Sequence, residues 1–297
     1  MEIRQLRTFK SVATLLSFHK TAKKLNYAQS SISAQIQALE AELGVQLFDR
    51  LGKRILLTEA GERLLQYSHK VLDLTDEIRT ELTQTKEPKG SLTIRIPESL
   101  GVHRLPPVIR EFHRRYPQVL LNFTVCAHEE LQKDLRKGIT DLAFLYIDSI
   151  QASDLGFEVL GFESLVLVAS PEHPLVSQKT VFTKDLGGET LLLSRVDCSY
   201  RRLWERILAE KGVQAKNTLI FHSVETLKRC AREGIGITLL PETAVKEEIA
   251  NKSLVVLPWE EGKPETAIMM IWYQERWLSP SLKAFMKITR EILNVSI

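Results

Sequence analysis

A chain of 297 residues with 44% hydrophobic and 26% charged residues has the composition of a globular protein and the length to bury more than one core. No run approaches the ~18 apolar residues that a membrane-spanning helix needs. The formal net charge is only +3, but residues 1–58 carry nine basic and four acidic residues, or +5, while the remaining 31 basic and 33 acidic residues stand at −2; this fits a nucleic-acid-binding head on a near-neutral body, although charge alone leaves a chance surface bias open.

The head opens with apolar residues at helical spacing, Leu6, Phe9, Ala13 and Leu16. A second short helix is expected from about His19 to Leu25, and Asn26-Tyr27-Ala28 makes a turn. A third helix starts near Gln29 and sets Ile32, Ile36, Leu39 and Leu43 on one face, with Gly44 placed as a helix terminator. Residues 48–58 read as a small hairpin or wing whose tip, around Gly52, is basic. A long helix comes next, from about Thr58 to Lys86, with the stripe Leu64, Tyr67, Val71, Leu74, Ile78 and Leu82. At ~1.5 Å per residue it is about 40 Å long. It packs either on its own chain or, the favoured reading, on a second copy, because Pro88-Lys89-Gly90 separates it from the body of the chain.

Beyond residue 90 the period changes. Ser91–Ile96 alternates as a strand, Leu105–Tyr116 is helical, Val119–Val125 is a strand, Glu129–Lys137 is helical and Asp141–Ile147 is a buried strand. A similar series runs from Ser164 through Ala169, Thr190–Ser194, Ser199–Lys211, Thr218–Phe221, Val224–Glu233 and Gly236–Leu240. Ala267–Tyr273 is one more strand and Ser281–Leu293 the last helix. Alternating strands and helices predict two α/β lobes with parallel pairing, joined by crossing strands near Gly161 and Thr266.

The head has the parts of a helix-turn-helix. Its second helix must present small polar residues to base edges while basic groups on flanking elements hold phosphates. Gln29, Ser30, Ser31, Ser33 and Gln35 are the candidate readers; glutamine can pair with adenine, and serine can bond bases or phosphates. Lys20, Lys23 and Lys24 on the preceding helix, and Arg50, Lys53 and Arg54 at the wing, are the candidate phosphate contacts. Ala22, Leu25, Ile32 and Ile36 are assigned to the core between the helices.

The run Ser17-Phe18-His19-Lys20-Thr21-Ala22, then Leu25 to Ser33, Ile36, Leu39-Glu40, Leu43-Gly44-Val45 and Leu47-Phe48-Asp49-Arg50 resembles the LysR-type transcriptional regulators. Thr58-Glu59-Ala60-Gly61 is similar to that family's junction into its linker helix, and Gly234 to Pro241 to a stretch of its second lobe. The resemblance implies an all-α winged helix-turn-helix head at 1–58, a linker and dimerisation helix at 59–89, and an α/β two-lobed effector domain at 90–297 resembling type 2 periplasmic binding proteins. Lobe I would hold about 90–161 plus 267–297, and lobe II about 162–266. It further implies a sequence-specific regulator of double-stranded operator DNA, paired with itself through the linker helix and assembled as a tetramer, with RNA polymerase as a further candidate partner. One position departs: many members carry a basic residue after the recognition-helix serine, where this chain has Ala34. Operator preference cannot therefore be copied.

Ligands of open α/β sheets bind at strand C-termini, near helix N-termini. These positions nominate Ser99, Leu100, His128, Tyr146, Cys198, Ser199, Tyr200 and Ser223 for the effector. Short hydroxyls beside backbone N–H groups suit a small anion such as a carboxylate. For Ser199 and Ser223, plain helix capping is the competing role. Glu98 would repel an anion, so it is expected to point away from the cleft. Cys198, near Arg195, Arg201 and Arg202, carries an alternative, a thiol-based redox sensor, but no resolving cysteine lies close in sequence.

Other classes fit less well. The catalytic motifs GxSxG, HExxH and the P-loop are absent, the seven histidines show no metal spacing, and Cys126, Cys198 and Cys230 form neither a disulfide framework nor a CxxC site. Neither an enzyme nor a metal or other cofactor is expected. A solute-binding protein would not explain the basic head, and an architectural DNA protein would not explain the lobes. With no apolar core behind the N-terminus, the cytoplasm is the expected compartment.

Overall fold

The computed structural model describes residues 1–51, 54–83, 87–125, 130–147, 152–194 and 199–293, with the side chains of residues 50, 51, 54, 66, 76, 77, 79–81, 83 and 199 outside that description. The chain divides into two compact units. One holds Met1–Glu87, Lys133–Thr140 and Tyr273–Pro280, and the other Pro88–Gln132, Asp141–Trp272 and Ser281–Ile297.

The first unit begins with α1 (Ile3–Leu15), α2 (Phe18–Leu25) and α3 (Gln29–Leu43). Ser17 caps α2 by accepting the Lys20 N–H at 3.2 Å. Asn26 closes α2 in the left-handed region at φ 58°, a conformation its short polar side chain tolerates. Gly44, at φ 68°, ends α3 as expected. Phe9, Val12, Ala22, Ile32, Ile36 and Leu39 are buried in one cluster, with Leu25 packed against it. The rings of Phe9 and Phe18 meet Phe48 at centroid distances of 5.4 and 5.9 Å. Two expectations fail. Leu16 is 46% exposed because α1 stops at Leu15 and Leu16 turns left-handed, at φ 46°. Leu43, at the end of α3, is 39% exposed because the core does not reach that last turn.

The wing is a two-stranded antiparallel hairpin of β1 (Phe48–Leu51) and β2 (Arg54–Leu57), with Phe48 opposite Leu57 and Leu51 opposite Arg54. Thr58 then caps α4 (Glu59–Thr83) by accepting the Gly61 N–H at 3.0 Å. A Cβ on Gly61 would stand 2.2 Å from the Leu47 carbonyl oxygen, so only glycine lets α4 lie this close to the head. The two faces of α4 differ. Leu65, Ser68, His69 and Leu72 are buried, whereas Tyr67, Leu74, Ile78 and Leu82 are 46–79% exposed. Four of the six residues of the expected stripe thus face outward.

The second unit carries β3 (Gly90–Ile96), α5 (Glu98–His103), α6 (Pro106–Arg115), β4 (Val119–Val125), α7 (Leu131–Arg136, shared with the first unit), β5 (Leu142–Tyr146) and β6 (Leu155–Ala169). Then come β7 (Thr190–Ser194), α8 (Ser199–Glu210), β8 (Asn217–Phe221), α9 (Val224–Arg232), β9 (Thr238–Pro241), α10 (Glu242–Ala250), β10 (Val255–Val256), β11 (Glu265–Tyr273) and α11 (Pro280–Leu293). The large sheet runs β10-β6-β11-β5-β3-β4, with β9 also on β6. Strands β4-β3-β5-β11 form one lobe. The other combines β10, β6 and β9 with the β7–β8 pair through a bridge between Leu191 and Ile237.

The crossing strands expected near Gly161 and Thr266 are β6 and β11, which neighbour each other in the sheet. Pairing is mixed rather than uniformly parallel. β3–β4, β3–β5 and β7–β8 are parallel, while β11 runs antiparallel to β5, and β9 and β10 antiparallel to β6. All five residues of β5 are buried, as a strand covered on both faces requires. Helices α6 and α11 meet through Phe112 and Phe285, centroids 5.1 Å apart. Beside Gly161, the Glu163 carboxylate, 1% exposed, accepts from Arg104 Nε and Nη2 at 3.3 and 3.0 Å and from the Thr243 hydroxyl and N–H at 2.8 and 3.2 Å. That satisfies a buried charge at the point where the chain passes from lobe to lobe.

Candidate DNA interface and effector cleft

Rotation of α3 is set by Ile32 and Ile36, both buried. The opposite side of its first turn is therefore outside. Gln29, Ser30 and Ser31 are exposed, Ser33 is half-buried, and Ala34 is exposed without a polar group. Ala28, the residue before α3, provides no side-chain cap. The positive end of the helix dipole therefore opens outward beside two serines and a glutamine. These groups can bond base edges or phosphate oxygens. Gln35 differs from the others: it is half-buried, and its Oε1 accepts from the Thr8 hydroxyl at 2.8 Å, which ties it to α1. Lys20 and Lys23 are exposed on α2, with Lys24 beside them. At the wing, Arg50 pairs with Ile55 and Arg54 with Leu51 through the backbone. Their side chains, and Lys53 entirely, lie outside the described residues.

In the second unit, two contacts bring the lobes together at the C-terminal ends of their strands. Tyr146, the last residue of β5, meets Tyr200 in the first turn of α8 edge to face, with centroids 6.1 Å apart. The rings are 1% and 3% exposed. The second contact joins α5 to α9. The Ser223 hydroxyl donates to Glu98 Oε1 at 3.2 Å, and the Val224 N–H donates to Oε2 at 3.0 Å. Ser223 Oγ also accepts the Thr226 N–H at 3.4 Å, so this serine caps α9 and holds a carboxylate at once.

Of the residues nominated for the effector, Ser99, Leu100, Tyr146, Tyr200 and Ser223 lie on α5, β5, α8 and the start of α9, the elements these contacts join. Leu100 is fully buried. Ser99 is 2% exposed, and its hydroxyl has no hydrogen-bond partner among the described residues. His128, Cys198 and the Ser199 side chain lie outside the described residues, so the redox alternative at Cys198 has no geometry. Cys230, on α9, is a free, half-buried thiol.

Sequence reading misplaces one residue and misses another. Glu98, expected to point away from the cleft, instead crosses to the other lobe, because the N-terminus of α9 supplies a hydroxyl and an N–H that stabilise its charge. Ser194, at the end of β7, also has a buried hydroxyl without a partner among the described residues. Its carbonyl accepts from Arg201 Nη1 at 2.8 Å. No local signal marks either residue: Glu98 finds its partners 125 and 126 positions away, and the Ser194 hydroxyl shows no partner among the described residues.

The comparisons with known proteins agree with this architecture. Residues 3–62 match the model of the bacterial regulatory helix-turn-helix protein, lysR family, and residues 85–294 that of the LysR substrate binding domain. The chain is 40% identical to the uncharacterized HTH-type transcriptional regulator YwqM of Bacillus subtilis, over 98% of this chain and 99% of that one. It is 31% identical to the HTH-type transcriptional regulator GltR of the same organism, over 98% and 97%. Among solved structures, a full-length OxyR variant from Pseudomonas aeruginosa shares the fold with a TM-score of 0.78 at 22% identity, covering 99% of this chain and 95% of that chain. Full-length LysG from Corynebacterium glutamicum, with bound effector Arg, does so with a TM-score of 0.65 at 22% identity, covering 99% and 98%. The chain therefore belongs to the LysR family of bacterial transcription regulators, with a helix-turn-helix that binds DNA and an effector-binding domain.

Proposed function

We propose that this regulator reads an operator through Gln29, Ser30, Ser31 and Ser33, steadied by Gln35, while Lys20, Lys23, Arg50, Lys53 and Arg54 hold phosphates. The observation that carries this reading is the outward-facing first turn of α3, polar, uncapped by any side chain and flanked by exposed lysines. The outward row Tyr67, Leu74, Ile78 and Leu82 on α4 supports pairing with a second copy, which would place two heads on two half-sites. The family resemblance extends this to a tetramer. Regulation would act on RNA polymerase at the promoter, in the cytoplasm where the DNA lies.

The effector is a small carboxylate held where α5, β5, α8 and α9 converge, by Ser99, Leu100, Tyr146, Tyr200 and Ser223, with His128, Cys198 and Ser199 as further candidates. Support for an anion comes from the chain itself, which places a carboxylate, Glu98, on the N-terminus of α9. Lobe I about 90–161 plus 267–297 and lobe II about 162–266 would shift against each other on binding. Footprinting on DNA that the protein itself selects from a random-sequence pool, with and without a panel of organic and amino acids, tests the reading. A protected pair of half-sites whose pattern changes with one acid supports it. Absence of protection, or protection no acid alters, refutes the DNA or the effector part respectively.

A further inference from the structure

The seat that suits an effector carboxylate is already filled. Glu98 opens α5 on one lobe, and its two oxygens take the Ser223 hydroxyl and the Val224 N–H on the other, 125 and 126 residues away. Helix α9 spans nine residues, so its N-terminus carries the partial positive charge of the helix dipole, and the carboxylate satisfies one of its open N–H groups. Two buried hydroxyls of this unit lack what Glu98 has. Ser99 is the next residue after Glu98 and is 2% exposed; Ser194 ends β7 and is 8% exposed. Neither hydroxyl has a hydrogen-bond partner among the described residues. A buried hydroxyl left without a partner is destabilising, and native structures hold few of them. One of these groups opens α5 beside Glu98 and the other ends β7, the kinds of position at which open α/β sheets receive polar ligands.

We propose that Glu98 is a built-in competitor for the effector's carboxylate, and that the effector acts by displacing it from Ser223 and Val224. This rests on the reading of the cleft as a carboxylate site. Displacement exchanges one carboxylate for another at α9, so the helix keeps its hydrogen bonds while the direct tie between the lobes is broken. The exchange couples occupancy to lobe geometry without any charge entering or leaving the seat. Tethered to α5, Glu98 competes at an effective concentration on the order of millimolar, so the intact protein binds carboxylates more weakly than the bare seat would. The displaced Glu98 stays close by. It disfavours a second negative charge on the ligand and favours a neutral or cationic remainder. The ligand class is thus a small monocarboxylate or a zwitterion rather than a dicarboxylate.

The test uses the full-length protein and propionate, which reproduces the end of the glutamate side chain. Thermal unfolding is measured for wild type, Glu98→Ala, Glu98→Gln and Glu98→Ala with Ser223→Ala. Propionate should raise the midpoint of Glu98→Ala saturably, at concentrations about tenfold lower than any response of wild type. The double variant should lose that response, and sodium chloride at equal ionic strength should not reproduce it. Succinate should be weaker than propionate on wild type and lose that disadvantage on Glu98→Gln, which removes the charge, keeps the side-chain shape and serves should Glu98→Ala fail to fold. If propionate acts equally on wild type and both single variants, displacement is wrong although the carboxylate site survives. If no carboxylate stabilises any variant, the carboxylate reading of the cleft falls with it.

Discussion

Arg276 donates from Nε and Nη2 to the two carboxylate oxygens of Asp73, at 2.6 and 3.3 Å. The residues are 203 positions apart in sequence, yet they belong to the same compact unit, one on α4 and the other just after β11. Their side chains are 17% and 15% exposed, so the pair is screened less than a surface ion pair. Its two-pronged geometry suits a guanidinium and would not suit lysine. A double-mutant cycle with Asp73→Ala and Arg276→Ala, read by urea unfolding, should return a coupling of about 1–3 kcal/mol. Additive losses would show that the pair is incidental to stability.

Next to Asp73 in space lies a buried imidazole. His69 is 4% exposed, and neither ring nitrogen has a hydrogen-bond partner among the described residues. Burial, reinforced by the positive charges of Lys10 and Arg276, pushes its pKa from 6.5 down to about 2. The unfolded chain therefore binds a proton below about pH 6.5 that the native state refuses. Stability should fall as pH drops through that value, by about 1.4 kcal/mol between pH 7.5 and 5.5. His69→Leu should lose less than wild type by that amount over the same interval. Equal losses would mean that the imidazole finds a proton or a partner in the folded state. The ring lies against Gly138, where a Cβ would stand 2.6 Å from Nδ1, so Gly138→Ala should disturb the same site.

DNA recognition separates into two experiments. Gln29→Ala should weaken operator binding by about 1–3 kcal/mol and relax base preference at one position. Lys20→Ala with Lys23→Ala should weaken binding to all sequences and reduce the slope of log affinity against log salt by about 2. Fluorescence anisotropy across a salt series measures both. A reversed pattern, with Gln29 changing only the salt slope, would move it from base to phosphate contact.

The outward row on α4 predicts an assembly defect. Leu74 and Ile78 are 55% and 46% exposed. Leu74→Glu with Ile78→Glu should leave the fold intact by circular dichroism and lower the mass seen in sedimentation. It should also weaken binding to paired half-sites far more than to a single one. An unchanged mass would place the interface between copies elsewhere.

Much of the head is legible from sequence because its contacts are local. Phe9, Ile32, Ile36 and Leu39 fall at helical spacing, and the buried cluster contains all four. Where the pattern runs on past the real helix end, as at Leu16, periodicity cannot register that the chain turns at φ 46°. The lobes are legible as a series of strands and helices but not in every part. Helices α5 and α10 start directly after Pro97 and Pro241 at the ends of strand segments, so each reads as the tail of what precedes it. Strand β6 runs for fifteen residues; its crossing near Gly161 is legible but its start at Leu155 is not, because exposed Phe157 and Val159 and buried Gly161 and Glu163 blur the alternation.

The amino-acid sequence alone determined the class of DNA reader, the polar edge of α3, the long helix and the α/β character of the body. These arise from propensity, spacing and motif, and each acts over a few residues or one turn. Only the tertiary structure decided which faces meet. It turned Glu98 across to α9, set Tyr146 on Tyr200 and joined Arg276 to Asp73, in pairs separated by 54 to 203 positions. The favourable energy of each such contact depends on a partner that the chain brings near only once both cores have formed. A member of such a pair can be nominated from its own stretch of sequence, as Tyr146, Tyr200 and Ser223 are, but its partner cannot.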